Sequence, residues 1–448
     1  MGVRVSAAVP SLPRGTRRRG RPERGALQEA AGVRATVAAG RLPDLARALD
    51  DLHGGGSGGG SGLPFARLTG VHFARLVLLE DVDDLRGRSI PASLVYLADV
   101  DGSASSHLDE LAALGAAGLD STFGLCEGYP AEPTHAGRRA FLHEHLLATQ
   151  APYVNTIGRT VDQVRRESVL RDAIANFLDR EELSTRARGA GEVRQAVQDF
   201  VRGEPALQWA RRRAPRPPLP LRIREKLHAL LVPAALLPAA PLILAVLPVW
   251  ALLLRLHEKT DPAPHVRPDP EHLARLLALE DFAAQNQFTV VGFVKPGPVR
   301  AITVRVLLWL TAFATRHAFN RANLAGVTTI HFARWVVIDG GRRVIFISNY
   351  DGSVESYMDD FIDKVAWGLN ALFGNGVGYP RTRWLLGGGA RDEQVFKDVL
   401  RRRQIPTQVF YSAYDQLSAR NIRDNALIRS GLFGPMSRFE AAAWVARL

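Results

Sequence analysis

The chain matches itself at a fixed distance. Residues Asp101 to Pro130 align with Asp351 to Pro380, without a gap, at an offset of 250. Within these blocks Ser106 matches Ser356, Asp109 matches Asp359, Gly118-Leu119 matches Gly368-Leu369, and Phe123-Gly124 matches Phe373-Gly374. Both blocks close on Gly-Tyr-Pro, at Gly128 and at Gly378. Upstream, His72-Phe73-Ala74-Arg75 recurs as His331-Phe332-Ala333-Arg334. Self-similarity of this kind marks a duplicated unit, so one fold is expected twice. A chain of 448 residues has room for two or three domains, each with its own core.

The later half carries the clearer pattern. Phe288 to Val294 is rich in strand formers and ends in the turn signal Lys295-Pro296-Gly297-Pro298. Residues 299–320 have helical apolar spacing. Val327 to Ile338 and Val344 to Tyr350 flank Asp339-Gly340-Gly341 as a hairpin. Ser353 is an expected N-cap for a helix whose stripe is Val354, Met358, Phe361, Ile362, Val365, Leu369 and Leu372. A helix over 391–403 and a strand from Thr407 to Ala413 follow. The earlier half predicts a helix at 36–52, strands at 68–79 and 93–100, and helices at 105–120 and 137–149. A strand at 152–158 and a terminal helix at 161–179 complete it, and it offers no convincing first strand. The Gly-Ser run at 54–62 reads as a flexible insertion.

The expected fold class is therefore α+β: two ferredoxin-like repeats, βαββαβ with an extra helix, joined by a membrane-inserting helical segment. The expected division is a disordered basic tail at 1–30, a first repeat at 31–180, and a helical, basic linker at 181–226. A membrane segment at 227–256, a linker at 257–285 and a second repeat at 286–448 follow.

The membrane segment rests on Ala229 to Leu254, which holds no charged residue. It exceeds the roughly 20 apolar residues needed to cross a hydrocarbon core. Pro233, Pro238, Pro241 and Pro248 suit either a kinked span or a bent hairpin that enters and leaves by one face. If the two repeats pair, they must lie on one side of the bilayer, and the hairpin is the expected form.

The formal net charge of +12 has two sources. Residues 1–25 hold seven arginines and one glutamate; residues 211–226 hold six arginines, Lys226 and Glu225. These stretches carry the whole excess, whereas a nucleic-acid binder spreads charge over a folded face, so no nucleic-acid partner is expected. The run from Arg211 to Lys226 abuts the apolar segment, so anionic lipid headgroups are its expected partner. Its bias places the N-terminal flank, and with it the soluble repeats, on the cytoplasmic side of a cell membrane. A single cysteine, Cys126, excludes an intramolecular disulfide and a CxxC pair.

Several residues are candidates for chemistry. His331, like His72, sits on an expected strand with an arginine three positions on, Arg334 or Arg75. Positions i and i+3 point to opposite faces of a strand, so His331 and Arg334 share a pocket only across a bulge. Asp351-Gly352-Ser353 falls at a strand-to-helix corner, where backbone donors can meet an anion or cap the helix. Glu355, Asp359, Asp360 and Asp363 offer oxygen ligands for a cation or a solvated helix face. Lys295, Arg300, Tyr411, Tyr414, Asn421 and Asn425 are polar groups near strand ends of the later half, fit to line a pocket for an anionic ligand. No metal site, catalytic triad, Walker loop or dinucleotide motif is expected from the spacing.

Two linked modules of this kind resemble the dimeric α+β-barrel superfamily, distantly the dye-decolorizing peroxidases. The combination of HFARW, NYDGS and YMDDFID is similar to a family of bacterial membrane-associated proteins without assigned chemistry. The peroxidases carry Gly-x-x-Asp-Gly; here Ser348 precedes Asp351-Gly352 and Ala98 precedes Asp101-Gly102. The resemblance implies paired sheets around one site. Its oxidoreductase version implies haem on His331, with Asp351 and Arg334 on the peroxide side and Tyr350, Lys295 and Arg300 holding the cofactor. The first expectation remains a membrane-associated binding or accessory protein; the haem peroxidase is the alternative.

Overall fold

The computed structural model describes residues 27–54, 62–180, 189–214, 217–262, 265–319 and 324–448. The basic tail up to residue 26, and residues 55–61 of the Gly-Ser run, lie outside them. In chain order the elements begin with β1 (Gln28–Thr36), α1 (Leu42–Gly54), β2 (Val71–Leu79) and β3 (Ser93–Asp101). Next come α2 (Ala104–Leu114), α3 (Ala116–Thr122), α4 (His135–Glu144) and β4 (Ala151–Val154). Helices α5 (Val161–Arg180), α6 (Ala190–Gly203), α7 (Leu219–Leu236), α8 (Ala240–Thr260) and α9 (Pro270–Leu277) follow. The later part has β5 (Gln285–Phe293), α10 (Pro298–His317), β6 (Ile330–Ile338), β7 (Arg343–Asp351) and α11 (Val354–Phe373). It ends with α12 (Glu393–Arg403), β8 (Val409–Ser412), α13 (Ala419–Ser430) and α14 (Arg438–Val445). The protein is mixed α/β with antiparallel sheets.

One compact unit comprises residues 27–157 and 219–419. Its two main sheets run β1-β3-β2-β8 and β4-β6-β7-β5. Each is completed by a strand from the opposite half of the sequence. β8 pairs with β2, Val409 opposite Leu76, and β4 pairs with β6, Ala151 opposite Trp335. The segment leading into each of these strands pairs first with the first strand of its own half. Arg34 and Leu147 bond through their amides to the carbonyls of His145 and Gly32, both at 2.9 Å. In the later half Ile405 donates to Thr289 at 2.8 Å. The sheets are thereby stitched together along two seams.

Strand periodicity sorts the side chains. Alternate residues of β2 and β3, such as Leu76, Leu94 and Tyr96, join Leu45, Leu108 and Phe141 beneath the helices of the early half. Phe346 and Tyr350 do the same with Met358, Phe361 and Phe396 in the later half. The intervening residues face the other sheet: Val77, Leu79, Val95 and Leu97 meet Val336, Ile338, Ile345 and Ile347.

Among the boundaries that differ from expectation, two bear on the early sheet, and the helix expected over 36–52 begins only at Leu42. The early half does have a first strand, paired with β3 from Gln28–Asp101 to Thr36–Ser93. Its sequence, rich in alanine and glycine, hides the usual β-branched signature, and pairing rather than propensity makes it a strand. The helix expected over 137–149 stops at Glu144, because His145 and Leu147 are already pairing with β1.

A second compact unit gathers residues 158–218 and 420–448. Residues 161–180, expected in the first repeat, and the end of the expected second repeat thus pack together. Leu170 and Ile174 of α5, Val197 and Val201 of α6, Ile428 of α13 and Trp444 of α14 share one core. Arg429 is bonded to Glu167 at 3.2 Å and to the carbonyl of Arg212 at 2.9 Å.

Candidate functional site

Each HFAR sequence is built on a bulge. Pairing of β2 with β3 slips between Val71 and Phe73, and that of β6 with β7 slips between Ile330 and Phe332. The extra residues are His72 and His331. Val71 and Ala74 pack under the early helices, as Ile330 and Ala333 do under the later ones. Two residues fit between them on the opposite face, so each histidine turns toward the partner sheet beside its phenylalanine. Their rings mesh there: His72 with Phe332 at 5.2 Å between centroids, and Phe73 with His331 at 5.5 Å. Arg75 and Arg334 follow on the same face. The bulge therefore brings together the histidine and arginine that regular alternation would separate.

His72 Nε2 is 2.9 Å from Asp101 Oδ1, and its Nδ1 is 2.7 Å from the Tyr414 hydroxyl. An ionised Asp101 requires a donor at Nε2, so a neutral ring accepts the Tyr414 proton at Nδ1. His331 Nε2 meets Asp351 Oδ1 at 2.7 Å, and Asp351 Oδ2 accepts the Ala419 amide at 2.8 Å. The repeated Asp-Gly-Ser is thus a corner. The aspartate holds the bulged histidine, and Gly102 and Gly352 take φ near +80°. Ser103 and Ser353 then cap the next helix by accepting the amides of Ser106 and Ser356.

The arginines reach across the sheets. Arg75, buried, donates to the Phe288 carbonyl at 3.2 Å, to Thr289 Oγ1 at 3.0 Å and to Asn349 Oδ1. Asn349 donates to Asp99 Oδ2 at 3.2 Å. Arg334 lies 3.6 Å from Asp99 and donates to the Ala31 carbonyl at 3.0 Å. Asp99 therefore pairs with Arg334 directly and with Arg75 through Asn349, the asparagine at its counterpart position. Burial pushes the Arg75 guanidinium down to about 9, with Asp99 opposing and Arg334 reinforcing the fall.

The other candidates lie elsewhere. Tyr350 points to the opposite face of β7 and stacks on Tyr357 at 4.0 Å under the helices. Lys295 and Arg300 both pair with Asp261, at 2.8 and 2.6 Å, and fasten the end of α8. Lys295 also donates to the Gly374 carbonyl at 2.8 Å, and burial lowers its pKa. Asp359 pairs with Lys397 and Asp360 with Lys364, at 2.5 and 2.6 Å. Tyr411 lies on β8 and packs with Phe65 against the early core. Asn425 lies on α13, in the other compact unit.

These positions do not fit a haem. Asp351 engages His331 Nε2, and Phe73 packs against its ring. Axial ligation needs a free nitrogen facing room for a macrocycle. Tyr350, Lys295 and Arg300, which would have to hold the cofactor, do not converge on that ring.

The apolar segment is the second unusual surface. Among the described residues two helical stretches, Leu219–Thr260 and Pro298–His317, are long and apolar enough to cross a membrane. The first has almost no cover: Leu237 is 70% exposed and Leu244 68%. Both its ends are held by the body carrying the sheets. Glu225 of α7 pairs with Arg316 of α10 at 2.6 Å, and His228 lies 2.8 Å from His317. In α8 Trp250 donates to Thr303 at 3.0 Å. Buried Glu258 accepts from Thr382 and from the amides of Trp384 and Leu385, at 2.7 to 2.9 Å. Between the arms, Leu237–Ala239 forms a 3-10 turn containing Pro238, which interrupts the helix.

Comparison with protein-family models, curated proteins and solved structures finds no match to this chain.

Proposed function

We propose that the protein is a membrane-anchored binding protein built from two ferredoxin-like repeats, the descendants of one duplicated unit, closed on each other by exchanged strands. The equivalent orders β1-β3-β2-β8 and β5-β7-β6-β4 support this reading, as do the bulged histidines at matching places. On this reading the two sheets face each other as in a dimeric α+β barrel. Its interior is occupied by hydrogen-bonded polar groups and aliphatic side chains, an arrangement that joins the halves rather than admitting a substrate.

One observation carries the membrane reading: α7 and α8 leave a long apolar surface bare while both their ends are pinned to one body. Burial of such a surface in lipid is favourable by about 25 cal/mol per Å². The segment then enters and leaves by one face as a bent hairpin. Arg222, Arg224 and Lys226, all exposed at its start, meet anionic headgroups and place the body on the cytoplasmic side.

The test is flotation with vesicles containing phosphatidylglycerol. The protein should float, and the double variant Leu237→Glu/Leu244→Glu should stay in the dense fraction. Cysteines placed at Arg222 and Lys259 should react with an impermeant thiol reagent from the same side. Labelling from opposite sides overturns the hairpin.

A further inference from the structure

A cavity of about 250 Å³ opens between α10 and α11, above the helix-side face of the β5–β7 sheet. Its walls are apolar: Leu307 and Leu310 from α10, Phe361 and Trp367 from α11, and Trp335 and Phe346 from the sheet. Along α10 the lining runs from Leu307 to Thr315, about 12 Å at 1.5 Å per residue, and continues past the helix end to Phe319. A site so long for its volume suits a flexible chain better than a compact ring system. Leu310 and Trp367 at its rim are each about half exposed, so it is open to the outside.

Two further observations indicate what enters. The indole N–H of Trp335 is buried and has no acceptor among the described residues. A donor kept from water calls for one hydrogen-bond acceptor on an otherwise apolar ligand. The cavity wall also belongs to the helix on which the bare segment rests. Ile302, Val306 and Trp309 of α10 are half exposed, and Trp250 of α8 is bonded to that helix at Thr303.

From these features we infer that the α10–α11 cavity binds a single acyl chain, whose carbonyl oxygen accepts the Trp335 N–H. The inference rests on the membrane reading for the source of the chain; the site itself does not depend on it. Free fatty acid and the acyl chain of a phospholipid share this chemistry.

The experiment titrates the full chain, in detergent, with cis-parinaric acid and separately with a parinaroyl phosphatidylcholine. One saturable site per chain is expected, with energy transfer from tryptophan to the bound polyene. Ala314→Trp fills the cavity and should weaken binding at least about tenfold. Trp335→Phe should reduce both energy transfer and affinity, and its thermal midpoint checks that it is folded. Saturation by the acid alone assigns a fatty-acid site; saturation by both assigns a lipid-chain site. Partition no greater than into protein-free micelles overturns the proposal, as does undiminished binding in a folded Ala314→Trp. The Leu237→Glu/Leu244→Glu variant separates the two readings: it should bind parinarate normally in detergent while failing to float. A wild-type protein that binds parinarate but does not float refutes the membrane anchor and leaves the cavity assignment standing.

Discussion

The hydroxyl of Tyr414 lies 2.7 Å from Nδ1 of His72, a bond between residues 342 positions apart. The tyrosine follows β8, the late strand that completes the early sheet, and the histidine is that sheet's bulge. The bond reports directly on strand exchange. Tyr414→Phe removes the hydroxyl and strands a buried ring nitrogen, which should cost about 1–3 kcal/mol. Denaturant unfolding measures it, and a midpoint equal to wild type refutes the assignment.

Asp99 faces Arg75 and Arg334 from between the sheets. Asp99→Ala leaves buried Arg334 without its carboxylate and removes the charge that Asn349 relays to Arg75, and removal of one partner of a buried pair costs about 3–5 kcal/mol. Replacing all three residues by apolar ones of similar volume should recover much of that loss. Urea midpoints of the single and triple variants, compared at one pH, decide between a costly broken pair and a dispensable one.

His107 bonds through Nε2 to the Tyr96 hydroxyl at 2.8 Å, and burial pushes its pKa down to about 4. An unfolded histidine titrates near 6.5, so between these values the unfolded chain binds more protons. Stability therefore falls as pH drops from about 6.5 to about 4, by roughly 3 kcal/mol from this group. His107→Phe should flatten the pH dependence relative to wild type across that window. Parallel slopes for the two proteins would dismiss the attribution.

Strand exchange makes each half incomplete. Cut between Pro218 and Leu219, the chain yields one piece lacking β8 and another lacking β4. Neither piece should give a cooperative melt alone, because each leaves a sheet edge and part of the inter-sheet core in water. Expressed together they should copurify and melt cooperatively. Independent folding of either piece contradicts the observed pairing.

Much of the architecture is legible in the residues because it depends on local chemistry. The hairpin around Asp339-Gly340-Gly341, the Ser353 cap and the apolar stripe of α11 fall where spacing places them. β1 was hidden because Ala30, Ala31 and Gly32 have low strand propensity and take their conformation from β3. The candidate site was half legible. The HFAR and Asp-Gly-Ser repeats mark residues that meet in space, but the face of each histidine depends on a slip in pairing. Tyr414 stood out as polar near a strand end, with nothing in its neighbourhood to assign it to His72. The cavity left no mark, since Leu310, Ala314 and Phe361 read as ordinary core positions.

The amino-acid order alone determined that one pattern occurs twice and that a charge-free stretch separates the copies, because both are properties of residues close in the chain. Tertiary structure decided that the last strand of each half completes the other's sheet. It also decided that the ends of the apolar stretch are tied to one body. Backbone hydrogen bonding and ion pairing act through space, and their partners here lie tens to hundreds of residues apart.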